Sequence, residues 1–227
     1  MAHGPRKIAV TGHFGCGKKE FAVSLAFALA KLGIKGLALA DLDVENPYFR
    51  SRERMAELEK AGVAVYSDPF RGRNASELQT LDPAIRAPLE NPESRVILDA
   101  GGDFTGAMIL NQFSKFLKED TQLLFVLNQN RPGTDTLEKA LYQLRSIEKT
   151  TSLAVTGIIS NSHFIRYTSA DDVLEGWDFA QKLSAETGIP ALCACCMESL
   201  VPEVSGQGFD IFPIGMHMRE SYLDKQV

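Results

Sequence analysis

The segment Lys7-Ile-Ala-Val-Thr-Gly-His-Phe-Gly-Cys-Gly-Lys-Lys-Glu20 decides the fold of this chain. A short apolar run ends in a glycine-rich loop, and the loop opens into a stretch whose apolar residues recur with helical spacing. This order predicts a buried strand over Ile8 to Val10, then a loop, then a helix packed on one face. The predicted packed face of the helix consists of Phe21, Ser24, Leu25, Leu29 and Leu32.

The loop from Gly12 to Lys18 has the spacing G-x-x-x-x-G-K of a phosphate-binding P-loop. Glycines let backbone N–H groups turn inward around phosphate oxygens, and the helix N-terminus adds its partial positive charge. The lysine reaches the outer phosphates. The strand–loop–helix context favours this interpretation over a glycine-rich turn without a ligand. The residues expected to bind nucleotide here are Gly12, His13, Phe14, Gly15, Cys16, Gly17, Lys18 and Lys19.

Lys19 stands where a P-loop normally has Ser or Thr, whose hydroxyl ligates Mg²⁺. An ammonium has no lone pair for the metal and repels it at short range. We therefore expect ATP or ADP binding to survive better than hydrolysis, and the sequence puts a Mg²⁺ requirement in doubt. The alternative is that Lys19 turns outward along the helix while a water fills the vacated ligand position.

Length and charge exclude several classes of protein. A chain of 227 residues with 44% hydrophobic content can bury one substantial core, which predicts a single domain over residues 1–227. The net charge of -5 argues against a nucleic-acid-binding surface, since such binding rests on clustered Lys and Arg. No apolar run is long enough to span a membrane, and the N-terminus lacks a signal-peptide core, so we expect a cytoplasmic protein without a membrane partner.

Three of the four cysteines are bunched at Cys193, Cys195 and Cys196, which is not the spread of a disulfide framework. The favoured interpretation is that Ile189 to Met197 is a buried strand in which Cys serves as a small hydrophobe. The alternative is that Cys193 and Cys195 are soft metal ligands, donated across a dimer axis.

Apolar runs alternate with helical patterns along the chain, which predicts an α/β fold of three layers: a mostly parallel sheet with helices on both faces. Ser169-Ala-Asp-Asp172 is a helix start signal. The stretch Ser67 to Glu93 is predicted as loop with a short helix. The further predicted strands are Gly36 to Ala40, Val63 to Tyr66, Val96 to Leu98, Leu123 to Leu127, Val155 to Ile159, Ala191 to Ala194 and Ile211 to Ile214. The further predicted helices are Arg50 to Ala61, Thr105 to Leu117, Thr134 to Glu148 and Ser169 to Thr187.

Acidic residues follow two of the predicted strands. Asp41 and Asp43 follow the second strand, and Asp99 and Asp103 follow the fourth. In an open α/β sheet the residues just past the strand C-termini line the ligand crevice. Carboxylates there can hold a hydrated Mg²⁺ and orient an attacking water. One such Asp alone would be explained as a turn or a helix cap, but several behind a P-loop favour a nucleotide site.

These segments resemble the deviant-Walker-A branch of P-loop ATPases, the group of MinD, ParA, the nitrogenase iron protein and the cobyrinic-acid amidases (CobQ and CobB). Most similar is a set of little-characterised bacterial cytosolic ATP-binding proteins. The resemblance rests on the segments Gly12 to Glu20, Ala40 to Glu53, Asp99 to Asp103, Asn128 to Pro132 and Ile159 to His163, so it covers most of the chain.

The resemblance implies a role for Lys18 and for each acidic position. Lys18 would bind the β- and γ-phosphates, and Asp41 and Asp99 would hold Mg²⁺ through water. Asp43 would orient the attacking water, and Asp103 would lie in the second switch, which senses the γ-phosphate. On this basis the expected catalytic residues are Lys18, Asp43 and Asp103, and the expected metal site is Asp41 with Asp99.

Two further residues, Asn161 and His13, correspond to functional positions of the branch, and Asn161 is the better match. Asn161 matches the residue that reads adenine, and the chain lacks an Asn-Lys-x-Asp guanine-reading motif, which favours ATP. His13 corresponds to the branch's signature lysine, which reaches into the partner subunit's active site. Imidazole is shorter and mostly neutral at pH 7, which disfavours catalysis in trans by this residue.

Three functions remain open at this level. The first is an ATP-dependent switch on an unidentified protein partner, with weak or slow hydrolysis because of Lys19. The second is a metal- or cluster-maturation ATPase that uses Cys193 and Cys195. The third is a nucleotide-binding module that hydrolyses nothing. The resemblance also implies a nucleotide-dependent homodimer. Membrane positioning is disfavoured because the mixed-charge tail after Ile214 is not a basic amphipathic helix.

Overall fold

The computed structural model describes residues 4–43, 52–66 and 83–218. Within them eight strands form one sheet in which every neighbouring pair is parallel, in the order β3-β2-β4-β1-β5-β6-β7-β8. The strands are β1 (Lys7–Thr11), β2 (Leu37–Asp41), β3 (Val63–Tyr66), β4 (Arg95–Asp99), β5 (Thr121–Leu127), β6 (Gly157–Ser160), β7 (Ala191–Met197) and β8 (Ile211–Ile214).

Helices connect the strands and cover both faces of the sheet. They are α1 (Lys18–Lys31), α2 (Arg52–Lys60), α3 (Arg86–Glu90), α4 (Phe104–Gln112), α5 (Ser114–Leu117), α6 (Leu137–Thr151), α7 (Ala170–Thr187) and α8 (Val201–Val204). No helix among these residues has the length and apolar composition to cross a membrane.

Two apolar cores lie on opposite faces of the sheet, because side chains alternate along each strand. In β1, Ile8 and Val10 belong to the core beneath α1, while Ala9 belongs to the core that includes Leu144 of α6 and Leu183 of α7. A sheet buried on both faces needs nearly continuous apolar strands, which these are. The predicted three-layer α/β architecture is confirmed.

The position of β1 places the ligand crevice. β1 lies between β4 and β5, and the chain first crosses to β2 and β3 on one side before it builds β5 to β8 on the other. Loops at such a reversal leave the carboxyl edge of the sheet in opposite directions and open a crevice between them. The loop after β1 therefore meets the ends of β2 and β4.

Most predicted elements are present, with shifts of a few residues at their ends. Val63–Tyr66 and Ile211–Ile214 match the predicted bounds. Ser169 caps α7, and its side chain and that of Asp172 form the reciprocal capping box that the sequence predicts. Residues 83–90 contain a short 3₁₀ turn and α3, as expected of the stretch Ser67 to Glu93. Residues 67–82, the predicted helix start at Arg50 and the tail beyond residue 218 lie outside the described residues.

Three predictions of helix bounds were wrong. The single helix predicted over Thr105 to Leu117 is interrupted at Phe113, whose φ and ψ of -96° and 4° end α4 and begin α5. The helix predicted from Thr134 starts only at Leu137, because Thr136 is its cap and accepts a hydrogen bond from the Lys139 N–H. Leu32 lies past the end of α1 and is 65% exposed.

The C-terminal cysteines lie in the predicted buried strand, β7. Cys193 and Cys195 pack in the apolar core beneath α1, and Cys196 packs in a smaller cluster on the other face. Burial raises the pKa of the Cys195 and Cys196 thiols, so both stay protonated and behave as small hydrophobes. Across the described ranges, no three His, Cys, Asp or Glu side chains are grouped to hold a metal ion.

Candidate nucleotide-binding site

Glycine conformation shapes the loop between β1 and α1. Gly12, Gly15 and Gly17 have φ values of 146°, 76° and 85°, in the region that side chains rarely adopt. A Cβ at Gly12 would overlap the Val126 carbonyl oxygen and lie 2.9 Å from Cys16 Sγ. The backbone conformation at these three positions therefore favours glycine, and at Gly12 the close approach to β5 leaves no room for a side chain.

The helix that follows the loop begins without a side-chain cap. No side chain caps the N-terminus of α1, so its first N–H groups and the positive end of the helix dipole face the loop. Lys18 is 6% exposed and its ammonium reaches back to the His13 carbonyl oxygen at 3.4 Å. Among the described residues no carboxylate pairs with Lys18. The loop therefore presents uncompensated positive charge.

Lys19 points inward, between two carboxylates. Its Nζ lies 2.7 Å from Asp41 Oδ1, to which it donates a hydrogen bond, and 2.7 Å from Asp99 Oδ2 as an ion pair. Asp41 and Asp99 are register partners on the adjacent strands β2 and β4, which is why their side chains meet. The side chain of Lys19 is only 11% exposed. Lys19 therefore does not turn outward along the helix, as the alternative interpretation of the sequence supposed.

Charge and burial compete within this cluster. Burial acts to lower the pKa of Lys19, but attraction by Asp99 and Asp41 outweighs it and raises that pKa above its usual value. Burial also raises the pKa of Asp99; the ammonium of Lys19 opposes this shift, and the neighbouring Asp41 charge adds to it. Lys19, Asp41 and Asp99 thus form one buried unit, in which the ammonium contacts both carboxylates.

The residues as they stand do not fit the Mg²⁺ that the resemblance implies. The Lys19 ammonium fills the space between the two carboxylates that would hold the metal's waters. The hydroxyl that would ligate the metal directly is absent, because Lys19 occupies its position. Asp99 Oδ1 is buried without a hydrogen-bond partner in the described part of the chain, which leaves one acceptor for a water or a ligand group. This arrangement suits a fixed ammonium.

Asp43 continues the acidic end of β2. It is 7% exposed, and its backbone N–H donates to Asp41 Oδ1 at 3.1 Å. This contact draws the chain past β2 around the Asp41 carboxylate. The residues from 44 to 51, which include the rest of the segment that resembles the ATPases, lie outside the described residues. A water-orienting role for Asp43 stays a prediction.

Asp103 is the cap of α4. Its Oδ1 accepts a hydrogen bond from the Gly106 N–H at 2.8 Å. A Cβ at the preceding Gly102 would overlap the Gly12 carbonyl oxygen, so this segment packs tightly on the P-loop. Asp103 therefore lies next to a segment that contacts the P-loop, and its predicted contact with a γ-phosphate stays a prediction.

Asn161 holds the P-loop from the side of β6. Its Nδ2 donates to the Cys16 carbonyl oxygen at 2.8 Å, while its Oδ1 is buried without a partner among the residues described. Cys16 itself is fully buried, so it contributes to the loop through its backbone. The orphaned Asn161 oxygen can accept a hydrogen bond from an amino group, as an adenine edge would provide.

His13 and Phe14 do not converge on the centre of the loop. A Cβ at Gly133 would overlap the His13 ring, so the ring lies against the β5–α6 connection. There it lines an open cleft of about 500 Å³ together with Pro132, Tyr142 and Gln143. Phe14 is 69% exposed. If His13 and Phe14 contact a nucleotide as predicted, we expect them to do so through backbone groups.

Arg131 and His163 are neighbours of the loop to which the sequence analysis assigned no role. Arg131 Nε donates to the Gly15 carbonyl oxygen at 2.8 Å, and His163 Nε2 lies 3.1 Å from the position of a Cβ at Gly17. Burial and the Arg131 charge lower the pKa of His163 to about 4, so its ring is neutral at pH 7. Both residues lie in segments that resemble the ATPases, which was the available signal.

Comparisons with known proteins bear on the fold. No protein-family model and no curated protein sequence matches the chain. Among solved structures, FtsY from Thermotoga maritima is 22% identical, with a TM-score of 0.56 over 86% of this chain and 62% of that chain. FtsY from Elizabethkingia anophelis in complex with GDP is 20% identical, with a TM-score of 0.51 over 84% of this chain and 57% of that chain.

A nucleotide-binding protein from Archaeoglobus fulgidus in complex with ADP is 18% identical, with a TM-score of 0.51 over 89% of this chain and 86% of that chain. The chain thus spans about three fifths of the FtsY chains it resembles and most of the archaeal protein. These likenesses show that the chain has an α/β fold of the P-loop NTPase type.

The buried Lys19 cluster yields a stability prediction. Replacing Lys19 with Met keeps the side-chain length but leaves two buried carboxylates without their cation. We expect the free energy of unfolding to fall by about 3–5 kcal/mol near pH 7, as when one partner of a buried pair is removed. Without Lys19 the pKa of Asp99 rises further above its unfolded value, so the variant loses stability as the pH rises from about 4 to 7.

Urea unfolding at three pH values between about 4 and 7 measures this difference. Lys31→Met at the exposed end of the same helix is the matched control, and its small effect should not depend on pH in this range. A Lys19→Met variant that loses no more than Lys31→Met would show that the cluster does not form.

Proposed function

We propose that this chain binds an adenine nucleotide at its P-loop and acts as an ATP-dependent switch on a partner protein, with slow hydrolysis at most. The proposal rests on three neighbouring features, which together we call the anion cradle. A loop shaped by glycine leads to an uncapped helix N-terminus, and the adjacent Lys18 has no carboxylate partner among the described residues. Phosphate oxygens would satisfy both the helix N–H groups and the ammonium.

Slow hydrolysis follows from what Lys19 can and cannot supply. Phosphoryl transfer depends on positive charge that bridges the phosphates and stabilises the charge of the transition state. The Lys19 ammonium carries a single charge and is already engaged by Asp41 and Asp99. It cannot bind two phosphate oxygens in the fixed geometry of Mg²⁺. We therefore infer that nucleotide occupancy, rather than rapid turnover, is the signal.

The contact between Gly102 and the P-loop supports a switch. Gly102 packs on the Gly12 carbonyl and lies just before α4. At the start of α4, Phe104 is 71% exposed, and Met108 one turn later is 46% exposed. A nucleotide that adjusts the loop would move this segment and with it an exposed apolar surface, which a partner protein can recognise. The partner and a nucleotide-dependent homodimer remain parts of the proposal.

The alternatives differ in their support. A module that binds nucleotide without hydrolysis is favoured by the same Lys19 geometry and is separated from the switch by a turnover assay. A maturation ATPase would use Cys193 and Cys195, but these thiols are packed inside an apolar core. Their burial supports the structural interpretation of this strand.

The first test is nucleotide binding itself. Lys18→Ala removes the cation of the cradle, and we expect the affinity for ADP to fall roughly tenfold or more, since charge-assisted hydrogen bonds are worth about 1.5–3 kcal/mol. Calorimetry measures it, with Lys139→Ala as a control because Lys139 is exposed and pairs with Asp135. The absence of adenine-nucleotide binding to the wild type would overturn the proposal.

The second test concerns the base. Asn161 Oδ1 can accept from the adenine amino group, whereas guanine presents a carbonyl oxygen at that edge. We expect the wild type to prefer ADP over GDP and Asn161→Ala to lose that preference. The variant also loses its contact with Cys16, so the ratio of the two affinities is the readout rather than either affinity alone. Equal wild-type affinities would leave Asn161 as a structural clamp.

The third test replaces the internal cation. In the wild type we expect nucleotide affinity to depend little on magnesium, because the Lys19 ammonium already occupies the space between Asp41 and Asp99. Lys19→Thr or Lys19→Ser supplies the hydroxyl and frees Asp41 and Asp99, so both the magnesium dependence and the ATPase rate should rise. Lys19→Ala is the matched control, since it frees the same carboxylates without a hydroxyl.

Titration of nucleotide with and without EDTA, together with phosphate release, reads out the third test. Strong magnesium dependence in the wild type, with an ATPase rate that Lys19→Thr leaves unchanged, would show that Lys19 moves aside when nucleotide binds. In that case the Lys19 ammonium could not be the cause of slow hydrolysis.

A further inference from the structure

Arg131 lies against the P-loop from the connection between β5 and α6. Its Nε donates to the Gly15 carbonyl oxygen at 2.8 Å, and its guanidinium carbon lies 3.4 Å from the position of a Cβ at Gly15. The backbone before it is fixed in turn, because the Arg131 N–H donates to the Asn128 carbonyl oxygen at 3.3 Å. The loop and the arginine thus hold each other in place.

Arg131 carries a positive charge that no carboxylate of the described residues pairs with. Within the described ranges no carboxylate lies at ion-pair distance from its guanidinium. Lys18 shares this property, whereas Lys19 is held by two carboxylates. Both Arg131 and Lys18 therefore stay available to an anion.

Arg131 lies on the same side of the P-loop as His163. The guanidinium is close enough to lower the pKa of His163, and His163 Nε2 lies near Gly17. The His163 ring is neutral at pH 7, and its Nδ1 accepts the Ile165 N–H at 3.3 Å. Arg131 therefore places a positive charge beside the P-loop, on the side where the chain leaves β6.

We propose that Arg131 is a nucleotide-binding residue whose Nε fixes Gly15 while its terminal amino groups contact oxygens of the nucleotide's phosphate chain. This inference rests on the proposed function. The terminal N–H groups have no hydrogen-bond partner among the described residues. A guanidinium presents such donors as a planar fork that matches phosphate oxygens. Lysine could supply the charge but not the fork.

The experiment compares Arg131→Gln, Arg131→Lys and the control Arg145→Gln, which removes an exposed arginine that pairs with Glu148. Calorimetry with ADP at low and high salt gives affinity and its dependence on ionic strength. We expect Arg131→Gln to weaken ADP binding roughly tenfold or more and to flatten the salt dependence, because a charge–charge contact is lost. Arg131→Lys should lie between it and the wild type, and Arg145→Gln should match the wild type.

Thermal unfolding and the His163 resonance show whether the variants remain folded. In a folded Arg131→Gln protein, the pKa of His163 should rise from about 4, since a neighbouring positive charge is gone. If Arg131→Gln does not fold, Arg131→Lys carries the comparison.

Three results would overturn the inference or its basis. Unchanged ADP affinity in Arg131→Gln would show that Arg131 makes no contact. Weaker binding with an unchanged salt dependence would leave Arg131 as a structural clamp on Gly15 only. A wild type without affinity for ADP would instead overturn the proposed function.

Discussion

Two carboxylates at the ends of adjacent parallel strands need a cation, and Lys19 supplies it from within the chain. Asp41 and Asp99 are brought together by the register of β2 and β4, so neither can relieve the repulsion by moving away. The ammonium that pairs with both belongs to the first turn of α1, the helix that follows the P-loop. The same interaction thus ties the loop to the sheet and occupies the position that a divalent metal would need.

The P-loop is held from three sides by contacts with distant parts of the chain. Gly102 packs on the carbonyl of Gly12, Arg131 binds the carbonyl of Gly15, and Asn161 binds the carbonyl of Cys16. These three contacts hold the loop in the shape that the structure shows. A site that is formed before binding loses less conformational entropy when a phosphate arrives.

This arrangement has two properties that the proposed switch would use. The Gly102 neighbour of the loop leads directly into α4, whose first turns expose Phe104 and Met108. An internal ammonium also makes the charge of the site independent of a bound metal. Nucleotide occupancy could then be reported by the protein without being coupled to turnover.

The sequence by itself determined the elements whose signals are local. Apolar runs marked the strands, the capping box at Ser169 marked the start of α7, and the glycine and lysine spacing marked the phosphate loop. The order of strands and helices was enough for the three-layer architecture, because a parallel sheet requires a crossover between its strands. The interruption of the predicted helix at Phe113 was missed, since no Pro or Gly announces it.

Only the tertiary structure decided what the charged side chains do. Lys19 could have turned to solvent, and it points inward because β4 places Asp99 next to Asp41. Asp103 is a helix cap, and Arg131 reaches Gly15 across 116 residues of sequence. Such contacts depend on which strand ends the fold brings side by side. Long-range proximity of this kind leaves no periodic mark in the sequence, whereas burial and hydrogen bonding along one element do.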